Sequence, residues 1–100
     1  MPTYVLLTKL SVDTIRDLSK REEIGKKWHE TVKKKCPEIK FISHYALLGP
    51  YDFLDIFEAP DENSAAKVAL ITLSSGATVA ETWTAIPYKK LIQIVKELPD

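Results

Sequence analysis

The chain alternates between short β-rich runs and stretches whose apolar residues return at helical spacing. Thr3 to Leu10 (TYVLLTKL) has no Gly or Pro inside it, and its apolar residues occupy both parities, Val5 and Leu7 against Tyr4, Leu6 and Leu10. A strand that is apolar on both sides is a central one, covered on both faces. Ser11 is placed to cap a short helix through Leu18, with Asp13 in its first turn, where negative charge is favourable. The pattern restarts at Ser19-Lys20-Arg21-Glu22, the spacing of a capping box. From there Ile24, Trp28, Thr31/Val32 and Lys35/Cys36 form one apolar stripe, and Pro37 ends the helix. Lys26, Lys27, Lys33, Lys34 and Lys35 fall mostly on the remaining surface and read as a solvated face.

Ile39 to Leu48 and Asp52 to Ala59 are two further β-rich runs, joined by Gly49-Pro50-Tyr51 in the manner of a hairpin. Pro60 closes the second of them. Asp61 then caps a helix to about Ser75, with Gly76 as its stop. Ala77 to Ile86 reads as the fourth strand, and Pro87 opens a last amphipathic helix with Tyr88, Leu91, Ile92, Val95 and Leu98 on one side. The order β-α-β-β-α-β-α predicts an α+β fold of ferredoxin-like βαββαβ plan: a four-stranded antiparallel sheet, helices on one face, and an extra C-terminal helix. The opposite face carries apolar and aromatic residues where a monomer would be polar. A second copy packed sheet against sheet is the economical cover, so the expected partner is the chain itself, as a homodimer or larger homo-oligomer.

Composition narrows the function classes. One hundred residues make a single domain, 1–100, and fourteen basic residues balance fourteen acidic ones. That balance argues against a broad electrostatic footprint for nucleic acid or an anionic membrane. The apolar runs are far shorter than the roughly 20 residues that cross a bilayer. Met1-Pro2-Thr3-Tyr4 leads straight into a strand-like run without a secretory pattern, and Cys36 is the single cysteine. Together these give the expectation of a cytoplasmic protein. Cys36, at a helix end and before Pro37, reads as a small half-buried apolar residue rather than a nucleophile.

Several segments resemble one known family. Tyr4-Val5-Leu6-Leu7-Thr8-Lys9-Leu10, then Leu48-Gly49-Pro50-Tyr51-Asp52-Phe53, then Glu58-Ala59-Pro60-Asp61 with the Ala-rich helix, are similar to the GYD-domain family. That family is named for a Gly-x-Tyr-Asp hairpin, here Gly49, Tyr51 and Asp52. Ser74-Ser75-Gly76-Ala77-Thr78-Val79-Ala80-Glu81-Thr82 resembles its Gly-(x)n-Glu-Thr segment. The resemblance runs to about Pro87 and implies a ferredoxin-like fold of the dimeric α/β-barrel type, without implying an activity. The final helix and Trp83 look particular to this chain.

Polar residues inside strands are the informative ones for chemistry. Ser43, His44, Tyr45, Asp55, Glu58, Glu81 and Trp83 qualify. If Gly49-Pro50-Tyr51 is a three-residue loop, Tyr45 falls opposite Asp55; a shift of one residue instead places His44 near Asp55. A His–Asp pair would suit a general base, and a Tyr–Asp pair with Trp83 would suit a small aromatic or polar ligand. Each also reads as a hydrogen-bonded residue that fixes register or the dimer. Tyr51 and Asp52 read as a ligand rim or, through local turn chemistry, as anchors of the hairpin. The candidate ligand-binding set is therefore His44, Tyr45, Tyr51, Asp52, Asp55 and Trp83, with no catalytic residue assigned. His29, beside Trp28, reads as a surface histidine. No metal or cofactor motif is present: two separated histidines and one cysteine give no ligand spacing, and phosphate loops and nucleophile elbows are absent.

Three function classes remain. The first is a small-molecule-binding or regulatory module with a site between or beside paired sheets. The second is a cofactor-free enzyme of oxygenase or isomerase type, suggested by fold analogy alone. The third is a structural assembly module. A hydrogen-bonded His44–Asp55 pair lining an enclosed cavity would favour the enzyme, and an interface without a cavity would favour assembly.

Overall fold

The computed structural model describes residues 1–99. Strands β1 (Thr3–Leu10), β2 (Lys40–Ala46), β3 (Phe53–Glu58) and β4 (Ala77–Ala85) form one antiparallel sheet of order β2-β3-β1-β4. Helices α1 (Val12–Arg16), α2 (Arg21–Lys35) and α3 (Glu62–Ser74) occupy the two crossovers, and α4 (Tyr88–Glu97) follows β4. This is the ferredoxin-like α+β arrangement. No helix is long and apolar enough to cross a membrane among the described residues.

The core lies between the sheet and helices α2 and α3. Tyr4, Leu6 and Phe57 point into it from β1 and β3, and Val32, Cys36, Ala65 and Val68 meet them from the helices. The Tyr4 and Phe57 rings stack with centroids 5.7 Å apart. Small residues on α3 let that helix lie close to the sheet. Asp61 caps α3 by accepting from the Ser64 N–H at 2.9 Å, and Gly76, at φ 103°, turns the chain into β4. A Cβ at Gly76 would meet the Thr14 hydroxyl at 3.2 Å, so both conformation and space favour glycine there.

Two local readings of the sequence change. Helix α1 ends at Arg16, and Leu18–Lys20 forms a single 3-10 turn. The Ser19 hydroxyl donates to Asp17 Oδ1 at 2.6 Å, so it does not cap α2, whose N-cap, Lys20, makes no side-chain capping bond. Local competition by a nearer carboxylate displaces the capping box.

The sheet's other face is open and apolar. Val5, Leu54 and Ile56 are half-buried there, and Tyr45 and Trp83 are exposed. The molecule is 55 Å long along its longest axis. Its radius of gyration, 15.4 Å, exceeds the ~13 Å of a compact 100-residue domain. Leu91, Ile94 and Val95 on α4, and Leu98 just after it, remain exposed.

Candidate functional site

The β2–β3 register sets the site. His44 pairs with Asp55 and Tyr45 with Leu54, which is the one-residue shift from a three-residue loop. The hairpin closes in that register with the Leu47 N–H donating to the Asp52 carbonyl at 2.8 Å, and Asp52 makes two further bonds. Its backbone N–H donates to the Thr8 carbonyl at 2.8 Å, and its Oδ2 accepts from the Leu10 N–H at 2.7 Å. The hairpin is thus tied to the end of β1, and strand pairing stops at Ala46 and Phe53. A register shift between Phe41 and Ser43 leaves Ile42 unpaired, a bulge of the kind that re-aims side chains near a site.

Because Asp55 pairs with buried Leu6, its side chain lies on the helix-covered face of the sheet, and His44 lies beside it. His44 Nδ1 stands 2.5 Å from Asp55 Oδ1. The Asp55 side chain is 3% exposed, whereas that of His44 is 56% exposed. Burial pushes the Asp55 carboxyl above its ordinary value; the charge and hydrogen bond of His44, and the charge of His29, act the other way. With Asp55 ionised, Nδ1–H donates to it and Nε2 is left free at the surface. A buried carboxylate that fixes the tautomer of an accessible imidazole gives that imidazole one defined binding atom.

Aromatic rings hold the imidazole flat. His44 stacks on Phe53 at 5.3 Å and on Trp28 at 6.3 Å, and Phe41 meets Trp28 at 5.7 Å and His29 at 4.7 Å. The Arg21 guanidinium lies over Phe53, 5.4 Å from the ring centre. Trp28 is fixed in turn by its indole N–H, which donates to the Thr72 hydroxyl at 2.8 Å. Between the first half of α2 and the outer strand β2 these residues border an open cleft of about 600 Å³. Gly25 belongs to its wall, and a Cβ there would meet nothing within 4 Å.

The six residues singled out from the sequence fall in three places. His44 and Asp55 come together in the cleft. Tyr45 and Trp83, paired with Leu54 and Val5, lie on the open face. There the Tyr51 hydroxyl donates to Glu81 Oε2, and Trp83 Nε1 donates to Glu81 Oε1 at 3.3 Å. Asp52 stays within the hairpin as its anchor to β1. Sequence reasoning did not find Arg21, Gly25, Lys26 and His29 on the cleft's helix wall, nor Phe41 and Phe53 on its strand wall. The helical spacing of Arg21, Gly25 and Trp28/His29 was a usable signal for the first group. Among the described residues no group of three or more His, Cys, Asp and Glu could hold a metal ion.

The comparisons with known proteins agree with this architecture. A family model described as GYD domain matches residues 4–95. A Thermus thermophilus protein named glutamine synthetase and cystathionine beta-lyase binding protein is 33% identical over 96 residues, covering 96% of this chain and 100% of the relative. Among solved structures, the crystal structure of a protein from Thermus thermophilus has a TM-score of 0.60 at 20% identity, covering 87% of this chain and 95% of its own. The structure of FFRP-DM1 has a TM-score of 0.57 at 20% identity, covering 86% and 100%. The two structural likenesses support the fold alone. By the family match and the full-length relative together, the chain belongs to the GYD domain family.

Proposed function

We propose that this protein is a small-molecule-binding module of regulatory kind, acting as a homodimer, with its ligand site in the cleft beside the sheet. The observation that carries the reading is the buried Asp55 carboxylate orienting an accessible His44 within a wall of rings. The imidazole side of the pair is half exposed and lines the cleft, where a ligand could reach it. The homodimer rests on the open face of Val5, Leu54, Ile56, Tyr45 and Trp83. Pairing there leaves the cleft, on the opposite face, accessible. The regulatory part draws on the relative whose name describes binding to two enzymes; by likeness, this chain would present a protein surface that responds to its ligand.

Gly25 offers a test that separates binding from folding. Gly25→Leu inserts a side chain into the cleft from a helix position where a Cβ is unobstructed. In calorimetric screening of a metabolite panel, the reading expects ligands of the parent protein to be lost in this variant with its melting temperature maintained. Unchanged binding in the occluded variant would remove the cleft from consideration.

A second reading, a cofactor-free enzyme, draws on the same His44–Asp55 geometry, since a carboxylate-oriented imidazole can accept a proton from a substrate. The cleft's openness to solvent favours binding over turnover. Substrate consumption abolished by His44→Gln would reverse that order.

A further inference from the structure

We infer that the cleft is selective for small carboxylates with a flat or branched apolar body, an assignment that rests on the cleft being the ligand site. The charges lining it do not balance. Arg21 and Lys26 face it from α2 together with His29, against a single exposed carboxylate, Glu22. With His44 protonated, the His44–Asp55 pair carries no net charge of its own. The remaining field favours an anion.

Shape and polarity narrow the anion further. Phe53 touches both groups, with the Arg21 guanidinium over its ring and the His44 imidazole stacked on it, and Arg21 and His44 both line the cleft. A planar acid group in the cleft can accept from the guanidinium or, when the imidazole is protonated, from Nε2–H. Phe41 and the Trp28 ring edge continue the wall and offer apolar surface for the rest of the molecule. Inorganic phosphate would satisfy the cations but leave that surface wet, whereas an uncharged amide would cover it but leave the cations unanswered.

The test compares four probes by amide NMR titration of the full chain: phenylacetate, 3-methylbutanoate, phenylacetamide and inorganic phosphate. Saturable shifts at Gly25, Phe41, His44 and Phe53 with both carboxylates, and roughly tenfold weaker binding of the amide, are expected. Arg21→Gln should bring the acid down to the affinity of the amide, with Lys26→Gln as a second variant at an exposed position. Equal binding of amide and acid at these residues would overturn the carboxylate assignment and leave the cleft as a ligand site. Phosphate binding as tightly as phenylacetate would overturn it in favour of a general anion site. If no probe and no member of the metabolite panel shifts these residues, both the assignment and the reading beneath it fail.

Discussion

The Tyr51 hydroxyl donates a hydrogen bond to Glu81, joining the hairpin to the edge strand across the end of β1. Two segments that resemble the family in sequence, Gly-x-Tyr-Asp and the Glu-Thr entry to the last strand, therefore meet in space. Leu7, which pairs with both Leu54 and Glu81, is buried although it belongs to the open face. The hydrogen bond to Glu81, with burial and the Glu81 charge adding to it, holds the Tyr51 phenol above its ordinary value. The folded protein thus keeps this proton longer than the unfolded chain. The associated stability is complete below the ordinary value of 10.0 and is lost as pH rises through the raised one. The difference in phenolate absorbance between the parent and Tyr51→Phe should place the Tyr51 titration above the ordinary value, and Glu81→Gln should return it towards that value; a Tyr51 titration at the ordinary value would contradict the contact.

Asp52 has a different task. Its carboxylate satisfies the Leu10 N–H, and its own N–H reaches Thr8. Asp52→Ala leaves the buried Leu10 donor without that partner and should cost about 1–3 kcal/mol in denaturant unfolding. It also loosens the hairpin against the end of β1, while the backbone bond from Leu47 N–H to the residue 52 carbonyl keeps the β2–β3 register. A substitution without effect on stability would show that the turn holds itself.

Asp55 makes stability depend on pH. A carboxyl whose folded-state pKa is raised binds its proton more tightly in the folded protein. Stability therefore falls as pH climbs from the ordinary value of 3.8 through the raised value. Asp55→Asn should abolish that fall. His44→Gln, by removing the charge that opposes burial, should extend it to higher pH. Parallel stability profiles for parent and Asp55→Asn would sink the account of this group.

The open sheet face predicts self-association. Sedimentation at micromolar concentration should show a dimer, and Ile56→Glu, placed in the middle of that face, should yield the 11.3 kDa monomer. Trp83, 52% exposed in the single chain, should report the change by a red shift of its emission on dissociation. A monomeric parent protein would leave the apolar face without its proposed cover.

Much of the fold was legible in the sequence, because it rests on local signals. Asp61 and Ser11 cap helices as their types and spacing imply, Gly76 takes the positive φ its position demands, and the two-sided apolar pattern of β1 reflects its place at the centre of the sheet. The site was legible only in part. Whether His44 or Tyr45 faces Asp55 depends on one residue of register, marked by the Leu47 N–H bond to the Asp52 carbonyl, which no residue type in the loop specifies. The bulge at Ile42 has no Gly or Pro to announce it. His29 and Lys26 looked like ordinary surface residues because nothing in the α2 pattern says which strand its polar side will border.

The central claim is that the His44–Asp55 cleft is where a ligand binds. Amide NMR mapping of the parent protein against a metabolite panel tests it most directly. The account predicts saturable shifts grouped on Gly25, Trp28, Phe41, His44 and Phe53, with the open face undisturbed. Saturable shifts centred on Tyr45, Glu81 and Trp83 instead would contradict it.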